Sequence, residues 1–516
     1  MGTSRLGPLL LGIDAGTSRV RALVFTADGG VVSEGSGTAP THRPRPRWAE
    51  QEAEDIWLAC VSAIKSAVEP LDRPDRIRGL AISSVGEAFV PLDEAGEPTY
   101  PVIAWYDQRP HDELARLFKV IDRDELFGIT GLAADPTFTL MKLLWLKANA
   151  AEALGRTRRI LNLTHYLAWR LTGVETADLS QASRSLALDL HGHTWAEDFI
   201  GELGIPPFLF GELRPLGDRL GHVKPEVAAA LGLATDCMVG VGGHDHILGA
   251  LAADALDPGT MLNSLGTAEA VTLAMSASSR DPELGRRGFS QGVVSVDDRL
   301  IAYVFGGFQT SGASIEWFRN LFAAESSHET LIAEAEPVAP GALGAIFVPD
   351  LRGRLLPIPD PLSRGAWLGL TADHDRPALY RALLEGLAFE ARLSIDGLAG
   401  IDDIPEIKAI KAIGGNTQNA LLMRIKASVY RQPITATEMP EACALGAALL
   451  GGVAAGLWPT LDVAVSDLAV SYDRIDPLDD LAGHYSRLYE DVYRDIYAAL
   501  RPLNHGLQEI LASASD

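Results

Sequence analysis

The spacing of apolar and polar positions predicts a chain of alternating strands and helices. Two apolar runs of strand length, Leu9 to Asp14 and Val20 to Thr26, flank the small and polar stretch Ala15 to Arg19. This pattern predicts a strand, a tight turn and a second strand. Apolar residues then recur at helical spacing over Trp48 to Ala67, and Leu80 to Ser84 is a further apolar strand. Such alternation is typical of α/β folds.

The opening pattern recurs in the second half of the chain. Thr260 to Ser264 predicts a strand, Leu265 to Thr267 a tight turn, and Ala268 to Ala274 a second strand. Gly-Thr turns are common, so chance is the alternative, but both copies end one apolar strand and begin another. Because a single core rarely grows beyond roughly 250–300 residues, the 516-residue chain is expected to form two domains of related construction, residues 1–253 and 254–516.

Further elements are predicted between and after these turns. Residues 110–200 are expected to be mostly helical, and Ile247 to Ala253 continues as a helix from a glycine-rich strand end. The second half predicts, in chain order, a strand Ala302 to Phe305, a helix Gly312 to Phe322, a strand Ala345 to Pro349, a helix Leu379 to Leu398, a strand Ile407 to Ile413, a helix from Asn416, a small-residue helix Ala442 to Ala455 and an amphipathic helix Tyr485 to Leu500.

Charge and composition narrow the range of partners. The formal net charge of −24 repels phosphate backbones and anionic lipid, so neither a nucleic-acid nor a membrane partner is expected. Met1 to Leu11 runs directly into a strand, and we expect neither a signal peptide nor an anchor. The distant Cys60, Cys237 and Cys443 favour a reducing cytoplasm over a disulfide framework or a cysteine zinc site.

Two tight turns are candidates for phosphate binding. In the first, Gly16 lets backbone N–H groups approach phosphate oxygens, Thr17 adds a hydroxyl, and Asp14 can hold Mg²⁺ through water. Arg21 on the following strand could neutralise phosphate charge. One such turn alone is more typical of a structural hairpin. A second turn at Ser264 to Thr267, facing the first across a cleft, would let the pair clamp a triphosphate.

Asp245 is the candidate general base. It follows a glycine-rich strand end and lies between His244 and His246. Phosphoryl transfer from ATP to an alcohol needs positioning, charge stabilisation and a residue that accepts the hydroxyl proton. A catalytic zinc site is the alternative, but it needs about three protein ligands and the two histidines supply only two. We therefore expect a structural role for one histidine and a hydrogen bond from His246 to a substrate hydroxyl.

Two further groups have both a functional and a structural interpretation. Gly414-Gly415-Asn416 could let adenine or ribose lie against bare backbone while Asn416 caps the helix, or it could be an ordinary strand–helix connection. An aromatic plane with acids and a guanidinium could hold a polyhydroxylated ligand, or could form a surface loop around a buried Trp. The residues of that second group are Glu87, Trp105, Asp107 and Arg109.

Taken together, the motifs resemble the FGGY family of carbohydrate kinases, which includes glycerol, xylulose, gluconate and fuculose kinases. The resemblance extends over about residues 8 to 500, with the motifs in the family's order. In this chain GIDAGTSRVRALVF and MLNSLGTAEAV look like the family's two phosphate motifs. GVGGHDHILGAL looks like the segment that carries the catalytic Asp, and IGGNTQNALLMRIKASVYRQPI looks like the adenosine motif. TLMKLLWL, GAWLGL, GFQTSGASIEWFRN and EACALGAALLGG resemble further family segments.

The resemblance implies a fold, cofactors and site residues. It implies two actin-like, ribonuclease H-like domains around a nucleotide cleft, with ATP and Mg²⁺ bound there, and many relatives are dimers. Asp245 becomes the base, and Asp14 and Asp245 the metal-side acids. The implied nucleotide-binding residues are Asp14, Gly16, Thr17, Ser18, Arg21, Gly266, Thr267, Gln309, Gly312, Gly414, Gly415, Asn416 and Asn419. The implied substrate-binding residues are Glu87, Trp105, Asp107, Asp245 and His246.

The chain also departs from the family's patterns. His246 stands where glycerol kinases usually have Gln and xylulose kinases Asn, and Arg352 to Pro357 replaces a usual loop. We expect a ketose or polyol of about three to seven carbons as substrate. Glu87 disfavours a sugar acid by charge repulsion, unless Arg109 compensates. The competing hypotheses are an actin-like or chaperone-like ATPase and a catalytically silent sugar-binding relative.

Overall fold

The structure is a computed structural model that describes residues 7–437, residue 439 and residues 441–513. Residues 1–6, part of the segment for which no signal peptide is expected, lie outside the described residues. The strands of the first half are, in chain order, β1 (Leu9–Ala15), β2 (Arg19–Thr26), β3 (Val31–Thr38), β4 (Glu50–Gln51), β5 (Ile77–Ser84), β6 (Phe89–Leu92), β7 (Val102–Ile103), β8 (Arg159–Asn162), β9 (Leu188–Asp189), β10 (Thr194–Trp195), β11 (Arg219–His222), β12 (Met238–Gly240) and β13 (Gly243–His244). Those of the second half are β14 (Thr260–Leu265), β15 (Glu269–Met275), β16 (Ser290–Val296), β17 (Arg299–Phe308), β18 (Ile346–Val348), β19 (Ala366–Leu368), β20 (Ala409–Ile413), β21 (Ile434–Thr437) and β22 (Tyr472–Ile475).

The helices alternate with these strands. In the first half they are α1 (Ala53–Val68), α2 (His111–Leu117), α3 (Arg123–Thr130), α4 (Thr139–Asn149), α5 (Ala151–Arg156), α6 (Leu163–Thr172), α7 (Leu179–Ala182), α8 (Glu197–Glu202), α9 (Pro225–Leu231) and α10 (Asp245–Ala252). In the second half they are α11 (Glu283–Arg286), α12 (Gly312–Phe322), α13 (His328–Ala335), α14 (Arg376–Asp396), α15 (Ala420–Tyr430), α16 (Ala442–Ala454), α17 (Leu461–Ser466), α18 (Asp479–Leu488) and α19 (Arg494–Ser513). A π-helical segment, Tyr489–Tyr493, joins the last two.

Two seven-stranded sheets share one strand arrangement. The first has the order β11-β12-β5-β1-β2-β3, with β13 also beside β5, and the second the order β16-β17-β15-β14-β20-β21-β22. The hairpins β1–β2 and β14–β15 are antiparallel, and the first strand of each lies parallel to a later strand, β5 or β20. The recurrence read from the two Gly-Thr turns is therefore present in the strand pairing.

The central strands are buried on both faces, which explains their nearly continuous apolar sequence. Leu10, Leu11 and Ile13 of β1 have no exposed surface. Helix α1 packs on one side of the first sheet against β3, and α16 packs on β5 and β1. The first core therefore includes residues from the last quarter of the chain, although the boundary predicted at residue 253 falls in the connection between α10 and β14.

Close backbone contacts depend on the small residues of α16. A Cβ on Gly12 would lie 1.8 Å from the carbonyl oxygen of Ala444, and one on Gly446 would lie 2.1 Å from that of Leu248. The helix therefore approaches both β1 and α10 more closely than side chains would allow. Its predicted bounds, Ala442 to Ala455, agree with the observed helix to within one residue.

Three expectations differ from the structure. The helix predicted from Trp48 begins at Ala53, because the preceding residues Glu50–Gln51 pair with β7. Strand β16 was not expected from the sequence, although it forms the outer edge of the second sheet. The helix expected from Asn416 begins at Ala420, after a 3₁₀ turn over Gly415–Gln418.

Among the residues that the structure describes, no helix combines the length and apolar character needed to cross a membrane.

Candidate active site

The first Gly-Thr turn joins β1 to β2. Its three loop residues are closed by a hydrogen bond in which the Gly16 N–H donates to the Arg19 carbonyl (3.0 Å). The turn leaves Gly16 and Thr17 partly exposed and Ser18 exposed. Trp105, on the loop between β7 and α2, contacts this turn, since its indole Nε1–H donates to Thr17 Oγ1 (3.0 Å).

An acid–guanidinium chain lies directly below this turn. The β1–β2 register sets Asp14 opposite Arg21, and Arg21 Nη2 lies 3.4 Å from Asp14 Oδ2 while its Nη1 lies 2.5 Å from Glu441 Oε1. Burial raises the pKa of Asp14, and the Arg21 charge opposes that shift. Glu441 is the residue before α16. The sequence motifs gave it no role, because its partner Arg21 lies 420 positions away.

The second Gly-Thr turn also joins two antiparallel strands, but its closing hydrogen bond spans two residues instead of three, and a buried ion pair supports it from beneath. Gly266 N–H donates to the Ala268 carbonyl (3.0 Å), and Gly266 and Thr267 are exposed. Below it, Glu269 and Lys426 form a fully buried ion pair with 2.5 Å between Oε1 and Nζ. Burial lowers the pKa of Lys426, and the Glu269 charge opposes that shift. The pair therefore fixes the root of the turn.

Three predicted nucleotide residues converge on the second turn. The Gly312 N–H donates to the Gly266 carbonyl (3.1 Å), which also accepts from Asn416 Nδ2 (3.2 Å). Gly414 has φ of 102°, and a Cβ there would lie 2.6 Å from the Leu265 carbonyl oxygen, so this position requires glycine. The start of α12 and the chain after β20 thus meet the second Gly-Thr turn.

The remaining predicted nucleotide residues lie at the edge of this group. Asn419, rather than Asn416, caps helix α15, because its Oδ1 accepts the Leu422 N–H (3.0 Å). The cap expected at Asn416 was therefore assigned three residues too early. Gly415 opens the 3₁₀ turn, and Gln309 is exposed just after β17 ends.

Asp245 is the first residue of α10. Its Oδ1 accepts the backbone N–H of His246 (2.7 Å) and lies 3.3 Å from His244 Nε2. Burial, and after it the charge of Asp14, raises the pKa of Asp245 to about 8. The carboxyl is thus more basic than an ordinary carboxyl, and because 23% of its side chain is exposed it is also accessible.

The backbone before Asp245 is held by a buried hydroxyl. The His244 N–H donates to Ser180 Oγ (2.9 Å), and the Ser180 hydroxyl in turn donates to Asp178 Oδ2 (2.5 Å). Both residues belong to the start of α7, where the Asp178 side chain also caps the helix. No sequence motif indicated this support.

The two histidines beside Asp245 are neutral at neutral pH. Burial lowers the pKa of His246 to about 4, with the Arg184 charge acting in the same direction, and it also lowers that of His244. The His246 ring lies 4.9 Å from that of Phe305 on β17. Among the described residues no group of three or more His, Cys, Asp or Glu side chains is arranged to hold a metal.

Glu87 lies on the loop after β5, in a conformation that is rare for a non-glycine residue. Its φ is 63°, and its carbonyl accepts hydrogen bonds from Thr139 Oγ1 and Lys142 Nζ, each 3.1 Å. Burial lowers the pKa of Lys142 to about 8. The Glu87 carboxylate pairs with Arg184, whose Nη2 lies 2.7 Å from Oε1.

Asp107 does not join these residues in the structure. Its carboxylate is fully buried, accepts the Ala49 N–H (2.5 Å) and pairs with Arg109 (2.9 Å). Arg109 also pairs with Glu50 and stacks 4.1 Å from the Trp48 ring. The cluster leaves neither Asp107 nor Arg109 free for a ligand, and the guanidinium beside Glu87 is that of Arg184 instead.

Two family models match most of the chain. The N-terminal domain of the FGGY family of carbohydrate kinases matches residues 9–252, and the C-terminal domain of that family matches residues 261–455. A xylulose kinase from Lactococcus lactis subsp. lactis is 28% identical over 97% of this chain and 98% of its own length. A glycerol kinase from Thermus brockianus is 32% identical over 87% of this chain and 90% of its own length.

A solved structure and a further relative agree with these matches. The crystal structure of xylulose kinase from Rhodospirillum rubrum has a TM-score of 0.86 and 28% identity, covering 96% of this chain and 100% of that chain. A gluconokinase from Bacillus subtilis, compared by sequence, is 27% identical over 94% of this chain and 97% of its own length. The chain belongs to the FGGY family of carbohydrate kinases.

Proposed function

We propose that Asp245 is the general base with which this carbohydrate kinase transfers the γ-phosphoryl group of ATP to a hydroxyl of a small ketose or polyol. The observation that carries the proposal is the position of the Asp245 carboxyl. It is buried near enough to Asp14 and Glu87 for the charges of both to raise its pKa, after the larger effect of burial. A group in that position can serve an acceptor hydroxyl and face a phosphate at the same time.

The nucleotide would be held mainly by the two turns and the glycines behind the second one. Gly16 and Thr17 offer a backbone N–H and a hydroxyl to phosphate oxygens, and Gly266 and Thr267 offer the same from the second half. Arg21 supplies positive charge in a chain whose net charge is −24. Bare backbone at Gly414 and Gly415 supports a flat adenosine.

Mg²⁺ fits the two acids of this site. Magnesium in nucleotide sites takes one or two carboxylates and completes its shell with waters and phosphates, so a cluster of three protein ligands is not required. Burial, and after it the charge of Asp14, raises the pKa of Asp245, and Asp14 and Asp245 are the residues that would hold the ion. Bound there, Mg²⁺ would neutralise phosphate charge.

The transfer step uses Asp245 as a proton acceptor. An acceptor hydroxyl beside the carboxylate gives it a proton while the hydroxyl oxygen forms a bond to the γ-phosphorus. The bond from that phosphorus to the β,γ-bridging oxygen breaks, and ADP leaves with the electron pair. Asp245 later releases the proton to water. Burial raises the pKa of Asp245 to about 8 without Mg²⁺, and a general base acts best when its pKa is near the working pH.

The acceptor would lie against Glu87, Trp105 and His246. A neutral His246 can donate or accept a hydrogen bond, and the Trp105 plane covers the side next to Thr17. Asp107 is left out of the proposed contacts because its carboxylate is already occupied. The three cysteines are free, in keeping with the cytoplasmic location that we propose.

Replacement of the base tests the proposal. Asp245→Asn keeps the size of the side chain and removes its basicity, so we expect ADP production with an acceptor panel to fall by a factor of about 10³ or more, which corresponds to roughly 4 kcal/mol. ATP affinity, measured by calorimetry, should change by less than threefold. Asp473→Asn, on the exposed strand β22, is the matched control and should retain full turnover.

The outcome separates the proposal from its alternatives. Turnover by Asp245→Asn within tenfold of the unsubstituted protein would remove Asp245 as the base. ATP hydrolysis that no member of a broad sugar and polyol panel stimulates would favour an ATPase. ATP binding without any ADP production would favour a silent relative.

A further inference from the structure

Arg184 lies outside every motif that the sequence indicated. Its guanidinium nevertheless pairs with Glu87, and its charge acts on Asp245. It follows α7, and its side chain is 13% exposed. Its guanidinium carbon lies 5.1 Å from the centre of the Phe138 ring and 5.5 Å from that of Phe305. The two aromatic rings hold the cation in one place and separate it from bulk water.

The contact with Glu87 is made through one carboxylate oxygen. Arg184 Nε donates to Glu87 Oε1 (2.8 Å), and Nη2 lies 2.7 Å from the same oxygen. Within the part of the chain that the structure describes, neither Glu87 Oε2 nor Arg184 Nη1 makes a hydrogen bond. Glu87 Oε2 therefore remains as an acceptor for a ligand, and Arg184 Nη1 remains as a donor. Together they match two adjacent hydroxyls of an acceptor molecule.

The pair lies next to the proposed base. A Cβ on Gly86 would lie 3.1 Å from the His244 ring and 3.2 Å from Arg184 Cγ, so both side chains press against this glycine. His246, on the other side of Asp245, lies against the same Phe305 ring as Arg184. The guanidinium, the two histidines and Asp245 thus surround one space.

The charges of this space determine which acceptors it favours. Glu87 alone would repel an anionic acceptor, and Arg184 alone would attract one. Paired at 2.7 Å, they leave a nearly neutral wall with directed hydrogen-bonding groups. A sugar acid could use the Arg184 charge only by displacing Glu87 from it.

Building on the proposed function, we infer that Arg184 is a specificity-determining residue that, by neutralising and orienting Glu87, makes the kinase select uncharged ketoses and polyols over sugar acids. Asp245 performs the chemistry, while the Glu87–Arg184 pair selects the acceptor. The inference concerns the acceptor alone and leaves the nucleotide side unaffected.

The test compares neutral and acidic acceptors in three variants. The probes are xylitol, glycerol and xylulose against gluconate, each with saturating ATP. Glu87→Gln releases the Arg184 charge, so the ratio of kcat/KM for gluconate to that for the best neutral acceptor should rise at least tenfold. Arg184→Met should raise the neutral acceptor's KM at least tenfold and leave the KM for ATP within twofold. In the double variant the gain toward gluconate should disappear.

The controls keep the result interpretable. Arg286→Met removes a guanidinium from an exposed pair with Asp124. It should change neither the gluconate-to-neutral ratio of kcat/KM nor the KM of the neutral acceptor. Arg184→Lys retains charge and most of the stem, and should restore part of the neutral acceptor's KM. If Arg184→Met does not fold, as its melting curve would show, the gluconate ratio of Glu87→Gln decides.

Two results would overturn the inference. One is an unchanged acceptor KM in folded Arg184→Met. The other is a gluconate ratio in Glu87→Gln that stays within threefold of the unsubstituted protein, or that is equally high in the double variant. Failure of the proposed function is distinguishable, because it would appear as undiminished turnover in Asp245→Asn.

Discussion

At the scale of single residues, the chemistry rests on side chains whose surroundings change their protonation. Asp245 is basic because it is desolvated beside Asp14, whereas the neighbouring His246 is neutral because burial disfavours its charged form. An acid that is protonated near neutral pH and a histidine that stays uncharged form an unusual pair. Their environment, rather than their identity, determines which of them takes the proton.

The pH dependence of the reaction should reveal the Asp245 proton. The proposed base acts only when deprotonated, and without Mg²⁺ burial raises its pKa to about 8. Bound Mg²⁺ would lower the pKa of the carboxylate that holds it. The value of kcat/KM for the acceptor, at saturating ATP and Mg²⁺, should therefore fall about tenfold per pH unit below a pKa that lies under 8, and level off above that pKa. Steady-state rates from pH 5.5 to 9.5 would measure this. A profile that is flat over this whole range would contradict it, and the residual activity of Asp245→Asn should lack the acidic limb.

At the scale of elements, glycines determine how closely the layers pack. Gly12 of β1 and Gly79 of β5 meet α16 through backbone contacts, since their Cβ positions would lie 1.8 and 2.0 Å from the carbonyl oxygens of Ala444 and Gly451. A helix rich in small residues therefore packs directly against the strand that carries Asp14. The position of the first phosphate turn depends on this packing.

Adding one methyl group at this contact should destabilise the fold. Gly12→Ala places a Cβ into the Ala444 carbonyl, and such overpacking costs about 1–3 kcal/mol. We expect the thermal midpoint to fall by several degrees and ATP affinity to weaken, as measured by calorimetry. Gly128→Ala in α3 is the matched control, because no atom lies within 4 Å of its Cβ position, and it should leave stability unchanged or raise it. Equal midpoints for the two variants would contradict the packing argument.

The sequence predicted local structure better than long-range partners. The bounds of β1, α12 and α16 follow from apolar runs, turn residues and small-residue content, all of which are local. Arg184 and Glu441 were missed, because their partners Glu87 and Arg21 lie 97 and 420 positions away. Asp107, for which a motif position predicts a substrate contact, forms a buried pair with Arg109 that the motif did not indicate.

At the scale of the whole molecule, the duplicated strand order gives each half a similar hairpin with a Gly-Thr turn. The predicted α/β class with two actin-like halves is confirmed by the two seven-stranded sheets and by the FGGY structures that the chain resembles. The halves are not independent, because α16 crosses back to pack on the first sheet. The residue before that helix, Glu441, pairs with Arg21 beside the first turn. The returning chain therefore reaches the arginine that we propose for phosphate binding.

Breaking this long-range pair should weaken nucleotide binding selectively. In Glu441→Gln, Arg21 keeps Asp14 as its anionic partner, so the guanidinium should shift toward Asp14 and offer less charge to phosphate. A half-buried pair worth about 1 kcal/mol predicts a three- to tenfold increase in the KM for ATP, with the acceptor KM at saturating ATP within twofold. Glu334→Gln, which removes a partly exposed partner of Arg376, should leave both constants unchanged. An unaltered KM for ATP, or equal changes in both constants, would mean that the returning helix supports the fold without shaping the phosphate site.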